Sequence, residues 1–384
     1  MTEQKRFSLT KEPYIRKADN KNYGTSVMMR DFVIALLPLI LFAWYKNGLA
    51  PYLNGDCGFL EMLYPLIFVL VGGLTTYFLE GFYYVVFLKE KNIQDKLHQS
   101  FALIPGILLA MVLPLHTPLW ILFIGAIFAS IIAKLLAGGF GYNIFNPALI
   151  GYLFIVTAFY GVITNNGGYF NPSELSLTTG ATPLTFFRGN HELFVEGGKT
   201  LSEVISTYGS LGNFFIGTIP GAMAETSSLL CLVGLAYLLI RKVINWRIPV
   251  IYLGTVFVLT YLIGAFNGYA LDLRFPLFNM FSGGLLFGAI FMATEPVTSP
   301  RTPNGKIVFA LFLGVLTVML RYISNMSEGV ASSILFMNMF APIIDNIFAK
   351  VRVSDNKKKM VVSYVVTGIM VFAIFGFTLL QMGV

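Results

Sequence analysis

Cysteine is nearly absent. Cys57 and Cys231 are the only two in 384 residues, and they stand far apart with no CxxC or metal-ligand spacing. That excludes a thiolate-held cluster built by this chain alone and leaves its redox compartment open. Histidine is as scarce: His98, His116 and His191 are scattered and form no ligand set. Charge is also thin, at 12% of residues, where a soluble domain carries about 25%. No soluble-enzyme triad or metal box is detectable. The first 30 residues are polar and basic, without the short apolar core of a cleavable signal peptide. The alternating pattern of a membrane β-barrel is missing as well.

What is present is apolar length. Hydrophobic residues make up 56% of the chain and the mean hydropathy is +0.73. Runs near or beyond the ~20 residues that cross a bilayer core recur throughout. The expectation is an all-α polytopic membrane protein with eleven spans, roughly 32–53, 60–88, 101–115, 118–138, 147–164, 213–240, 248–266, 276–294, 306–322, 330–349 and 360–381. The second is long enough to tilt or break. "IGTIPGAMAE" interrupts the sixth, which reads as a half-helix at its start. With the N-terminus inside, 21 of the 26 Lys and Arg fall in inside connections and 5 outside. By the positive-inside rule this places the long loop 165–212 on the extracytoplasmic face. The same asymmetry accounts for the net charge of +7 without a nucleic-acid partner.

Three patterns occur twice in the same order. "GILLAMVLPLHTP" (106–118) and "GAIFMATEPVTSP" (288–300) share G-x7-P-x3-P; "LFIG" (122–125) is matched by "LFLG" (311–314), and "NIFNP" (143–147) by "NMFAP" (338–342). In the expected topology each first copy runs opposite to its partner. This points to about ten transmembrane helices arranged as two inverted-topology repeats of five, plus one extra C-terminal helix. The chain divides accordingly: a cytoplasmic segment 1–30, a first repeat 31–164, an extracytoplasmic loop 165–212, a second repeat 213–349, and a basic linker with an added helix over 350–384. Folds of this kind place a site near the midplane, lined by broken helices. "IPGILL" (104–109), "IPGAMA" (219–224) and the Gly-rich "AGGFGYNIFNPAL" (137–149) are the expected breaks. The last follows no strand, so it reads as close backbone packing rather than a phosphate loop.

Charges inside a membrane are costly unless paired or wetted. Glu80, within "TTYFLEGFYYVV", is the mid-span candidate for an ion path, and Glu225 after the broken "IPGAMA" is the second. Glu295 and Asp345 near inside ends, and Asp31 before the first span, read as interfacial or capping groups. Lys134 reads as a snorkelling residue.

One stretch stands apart from its apolar surroundings. "SLTTGATPLTFF" (176–187) is rich in Ser, Thr and Gly, and by composition alone it is an ordinary loop. Taken with "GGFGYNIFNPALIGY", "IGTIPGAMAETSSL", "FGAIFMATEPVTSP" and "EGVASSILFMNMFAPIIDN", however, it resembles the NqrB/RnfD family of membrane subunits. The resemblance runs from about residue 60 to residue 349. The short N-terminal segment is similar to RnfD, the D subunit of the Rnf ferredoxin:NAD⁺ oxidoreductase; NqrB, of the Na⁺-translocating NADH:quinone oxidoreductase, has a longer one.

The resemblance implies a cofactor. In this family the (S/T)GAT segment carries FMN, joined through its phosphate to the final threonine, here Thr182. Thr179, Gly180, Ala181, Pro183 and Leu184 form the surrounding motif. The acceptor must be a hydroxyl, and the small Gly180 and Ala181 let a flavin transferase reach it. The family commonly has an acidic residue six positions before the threonine; here Ser176 stands there and Glu174 is the nearest acid. The resemblance also suggests a non-covalent riboflavin within the repeats. It further implies an ion-translocating (Na⁺ or H⁺) electron-transport complex in the bacterial inner membrane, with Rnf subunits A, B, C, E and G as partners. Ferredoxin-, iron–sulfur- and NAD-binding parts would lie on those subunits. Two alternatives keep most of the fold: an NqrB-like subunit with quinone as acceptor, and a flavin-free, urea-transporter-like channel.

Overall fold

The computed structural model describes residues 24–164, 182–225, 227–324, 329–353 and 357–382. Among these residues every long element is a helix, and the one β-bridge joins His191 to Lys199. Helix α1 (Thr25–Asn54) contains a π-helical turn at Tyr45–Leu49. Helix α2 (Phe59–Val86) begins where the Gly58 amide donates to Glu61 Oε2 at 2.7 Å. A short pair follows, α3 (Ile93–Ser100) and α4 (Leu103–Val112). Helices α5 (Leu119–Leu135) and α6 (Pro147–Ala158) complete the first set. Three short helices, α7 (Pro183–Asn190), α8 (Leu201–Thr207) and α9 (Leu211–Ile216), form the intervening segment. The second set is α10 (Ser228–Ile240), α11 (Arg247–Phe266), the pair α12 (Arg274–Phe281) and α13 (Leu285–Met292), then α14 (Pro303–Ile323) and α15 (Val330–Val353). Helix α16 (Lys357–Met382) ends the chain.

The protein is thus an all-helical polytopic membrane protein. Among the described residues six helices are long and apolar enough to cross a bilayer, and the bent pair α12–α13, taken as one span, makes a seventh. The shorter apolar helices α4, α5, α6 and α10 occupy the other four expected positions. The same order of elements occurs twice: two helices, a broken pair, then two more helices. Helix α16 stands outside both sets. Only 17% of its apolar window is buried, and Val365, Ile369 and Phe372 face outward, as expected of a lipid-facing addition packed on α14 and α15.

Several boundaries differ from the sequence reading, each for a physical reason. The expected span 101–115 is only the ten-residue α4, about 15 Å long at 1.5 Å per residue, or half a bilayer core. Its break is not at "IPGILL". It precedes that motif at Phe101, whose φ is 52°, and Pro105 falls in the first turn of α4, where its missing N–H costs nothing. The expected single span 276–294 is likewise two helices, bent by 67° at a junction where Gly283 has φ 70°. Helix α2 stays continuous over 28 residues despite Pro65. The first helix starts at Thr25, so Asp31 does not precede it. Asp31 is buried and accepts from Arg241 Nε at 2.8 Å, a pairing across the α1–α10 contact. The break at "IPGAMA" is present, with irregular chain between α9 and α10 and a 3₁₀ turn at Met223–Glu225.

Helix crossings depend on missing side chains. A Cβ on Gly106 of α4 would collide with the Gly72 carbonyl oxygen of α2. Nothing larger than glycine allows that approach.

Candidate functional site

The candidate residues fall in two separate places. The first is built around Glu80. Helix α2 carries it into the interior, where it is fully buried. Lys134 Nζ donates to Glu80 Oε1 at 2.6 Å and to the Ser100 carbonyl at 2.7 Å. The Ser100 hydroxyl donates to Glu80 Oε2. Lys134 therefore does not snorkel to a surface; it too is buried. The local folding explains this. Helix α5 widens to a π-helix over Phe128–Leu135, an insertion that re-aims side chains and recurs at functional sites. Ser100 ends α3, so its carbonyl has no intrahelical donor, and an ammonium is the natural cap for it. An ion pair this deep is sustained only by such additional hydrogen bonds, because desolvation costs several kcal/mol per ion.

Beside it lies a cavity of about 60 Å³. Ser100, Phe101, Lys134, Phe140, Asn143 and Asn146 wall it from the first set of helices, and Phe291 and Glu295 from the second. Glu80 is not on the wall; its two partners are. The Gly-rich connection forms the approach, with Gly138, Gly139 and Gly141 at φ of 115°, 92° and 97°, conformations only glycine adopts readily. It delivers Asn143, whose Nδ2 donates to Glu295 Oε1 at 3.2 Å, and Asn146, which caps α6 and donates to the Met292 carbonyl at 3.4 Å. Glu295 also accepts from Thr298 Oγ1 at 3.1 Å. Asp345 accepts from the Arg301 and Thr302 amides at 2.7 and 2.9 Å, the capping role expected of it. Among the described residues no group of three His, Cys, Asp or Glu side chains is placed to hold a metal ion.

The second place is the segment after residue 181. Thr179, Gly180 and Ala181 lie outside the described residues. Thr182 is the N-cap of α7: its Oγ1 accepts from the Thr185 amide at 3.4 Å and lies 2.8 Å from Thr185 Oγ1. Pro183 fills the first helical position and is buried, as is Leu184, so the motif's apolar half anchors the helix while the half-buried Thr182 hydroxyl stays at its mouth. Below it, Phe187 is buried against Phe278 with ring centroids 5.1 Å apart. His191 is fully buried. Its Nδ1 accepts from the Leu193 amide at 3.1 Å, and its Nε2 lies 3.4 Å from Tyr269 Oη. Burial lowers its pKa to about 4, with Glu192 opposing the shift.

Thr182 and Glu80 are not brought together. Thr182 belongs to a segment resting on the second set of helices, and Glu80 is packed within the first. Glu225 contributes its backbone to the Met223–Glu225 turn; its side chain lies outside the described residues. Sequence reasoning missed Arg321. It counted as a loop cation, yet it is buried within α14 and donates to the Asn279 carbonyl at 2.6 Å and the Ser282 carbonyl at 3.2 Å. Lys134 on Ser100 and Arg321 on Ser282 play matching parts, each capping the first helix of a broken pair.

Two sets of helices with paired breaks, a buried ion pair and, between the sets, a mostly apolar cavity edged by a few polar side chains define a polytopic membrane protein with an interior site. The sequence profile of the NQR2, RnfD, RnfE family matches residues 8–354, and the chain belongs to that family. It is 34% identical to the D subunit of the proton-translocating ferredoxin:NAD(+) oxidoreductase complex of Clostridium ljungdahlii, over 90% of this chain and 96% of the relative. It is 31% identical to the D subunit of the Na(+)-translocating ferredoxin:NAD(+) oxidoreductase complex of Acetobacterium woodii, over 90% and 95%. The B subunit of the Na(+)-translocating NADH-quinone reductase of Chromohalobacter salexigens is 33% identical, over 74% of this chain and 66% of the relative. As a member of this family the chain is a membrane subunit of an ion-translocating oxidoreductase complex.

Proposed function

We propose that this chain is the D-type subunit of an ion-translocating ferredoxin:NAD⁺ oxidoreductase, that it carries FMN as a phosphoester on Thr182, and that it relays electrons within the complex. The observation that carries the D-type reading is the length match. The chain spans nearly all of both D subunits but two thirds of the B subunit. The B-type reading, with quinone as acceptor, rests on a similar identity over that shorter span. In either case this chain alone is not catalytic, and ferredoxin and NAD⁺ sites belong to other subunits, with A, B, C, E and G as the proposed partners.

The residues at Thr182 fit a phosphate link. The hydroxyl stands at a helix mouth with the first-turn amides beneath it, and the positive end of a helix stabilises a phosphodiester charge. Pro183 offers no donor, so the Leu184 and Thr185 amides and the Thr185 hydroxyl are the groups able to hold that charge. The flavin supplies one- and two-electron chemistry when bound; the chain's part is to attach and orient it. A transferase acting on the extracytoplasmic face of a bacterial inner membrane completes the reading, with the N-terminus cytoplasmic.

A second flavin, riboflavin, is proposed for the cavity between the two sets. Four phenylalanines, Phe32, Phe101, Phe140 and Phe291, offer flat apolar faces there and Asn143 and Asn146 add polar edges, but at about 60 Å³ the space does not hold a three-ring system as its side chains stand. An ion route through Glu80 requires displacement of the Lys134 ammonium, which occupies the place a cation would take; Glu225 is the other proposed acid on that route.

In-gel fluorescence after denaturation tests the link. Co-expressed with a flavin transferase, the chain fluoresces, Thr179→Ala retains label and Thr182→Ala is dark. A fluorescent Thr182→Ala band moves the attachment elsewhere. A fluorescent chain whose complex reduces quinone but not NAD⁺ replaces the D-type reading with the B-type one.

A further inference from the structure

Helix α7, which Thr182 caps, is tied to the broken pair α12–α13 through two arginines. Arg188, in the last turn of α7, donates from Nη1 to the carbonyl of Arg321 at 2.8 Å. The Arg321 side chain runs the other way, into the second set of helices, and holds the Asn279 and Ser282 carbonyls. Asn279 lies in the last turn of α12 and Ser282 is its first residue beyond, so a guanidinium sits on the carbonyl end of a helix at the 67° break. Helix-end carbonyls lack intrahelical donors, and a cation there opposes the helix dipole. A second contact runs alongside. The Arg188 guanidinium lies 5.4 Å over the Phe194 ring, Phe194 stacks on Tyr322 at 5.8 Å, and Tyr322 Oη donates to Asn279 Oδ1 at 3.1 Å. Both routes start on α7 and finish on Asn279. Phe187 adds an apolar peg between them, against Phe275 and Phe278 of the same half-helix.

We propose that Arg188 and Arg321 are positioning residues. Together they clamp the Thr182 helix to the end of α12, so that the place of the group on Thr182 is set by the broken helix of the second set rather than by the loop that carries it. The clamp stands on the contacts themselves; its consequence for electron transfer rests on the Thr182 reading above. Two features favour a clamp over ordinary packing. The bonds to Asn279 and Ser282 come from a fully buried guanidinium, and charge-assisted bonds are about twice as strong as neutral ones. The bond from Arg188 also falls on the backbone of that same arginine, so a shift at the break moves α7 directly.

The test uses the purified complex, with Arg188→Met to keep the apolar stem and remove the donors, and Arg188→Lys to restore one. Arg188 is only half-buried, so neither change empties the core. Hydrogen exchange at the amides between Leu184 and His191 reads the clamp. Arg188→Met should speed it roughly ten- to hundredfold, the loss of one charge-assisted bond, and Arg188→Lys should fall between. Gel fluorescence should be equal in all three, while the midpoint potential of the Thr182-linked flavin, or its rate of reduction, shifts in Arg188→Met and returns toward wild type in Arg188→Lys. Unchanged exchange overturns the clamp. Faster exchange with unaltered flavin potential and reduction rate overturns the positioning role. A wild-type complex without gel fluorescence removes the Thr182 reading instead, and the exchange comparison still decides the clamp.

Discussion

The ammonium of Lys134 lies 2.6 Å from the carboxylate of Glu80, with both side chains shut away from solvent. Each is the other's main compensation, so removing one leaves an uncompensated buried charge. Glu80→Gln and Lys134→Met should each cost about 3–5 kcal/mol, read as lost yield of folded chain or lowered Tm in detergent. The double variant Glu80→Gln/Lys134→Met should recover most of that loss, because a neutral pair of similar volume is tolerated there. If it is no more stable than the worse single variant, the two do not act as a pair. The double variant also separates structure from transport: if Glu80 lies on the ion route, assembly returns but ion uptake into vesicles does not.

That pair shows where sequence reasoning stops. Eleven apolar segments, the break at "IPGAMA", the Gly-rich turn before α6 and the hydroxyl motif ending in Thr182 were all visible, because each is a local property of composition or spacing. The partner of Glu80 was not, since Lys134 is 54 residues away and its position near an inner span end makes snorkelling the simplest reading. Arg321 and Asp31 failed the same way: a charge near a helix end looks solvated until the fold supplies helix-end carbonyls or Arg241. The break at Gly283 was hidden because the pair it joins is apolar enough to pass as one span; at Phe101 the preceding Ile93–Ser100 is too polar to read as part of a membrane element, and a left-handed φ at phenylalanine has no composition signal.

His191 makes the intervening segment sensitive to acid. Its neutral Nδ1 accepts from the Leu193 amide, and burial holds its pKa near 4, against about 6.5 in the unfolded chain. Between those values the unfolded state binds more protons. Stability is therefore complete above pH 6.5 and falls as the pH drops toward 4. Proteolysis within 182–210 should accelerate through that window, and His191→Gln should flatten the profile. An unchanged slope in the variant would assign the acid sensitivity to other groups.

Sidedness is testable with two described positions. By the positive-inside rule, the excess of Lys and Arg predicts that the connection after α2 is inside and α7 outside. Single cysteines at Lys91 and Gly189, in a chain with Cys57→Ser and Cys231→Ala, should react with an impermeant thiol reagent from opposite faces: Gly189→Cys in intact cells, Lys91→Cys only after permeabilisation. Reaction of both in intact cells means that the number of crossings between them has the wrong parity.

Thr182 has two roles to separate, because an N-cap and a flavin acceptor both need a side-chain oxygen. As N-cap it accepts from the Thr185 amide, and replacing such a residue with alanine costs ~0.5–2 kcal/mol. A dark Thr182→Ala band is therefore open to the objection that the helix start was lost and the transferase could no longer recognise it. Thr182→Asn answers this. Asparagine is among the best N-caps but has no hydroxyl to form a phosphoester, so α7 should keep its hydrogen-exchange protection while the gel band stays dark. Thr182→Ser keeps both properties and should remain fluorescent. If Thr182→Asn is dark with α7 protected, the hydroxyl itself is the acceptor. If it fluoresces, Thr182 is a cap only, and the flavin is attached at another residue.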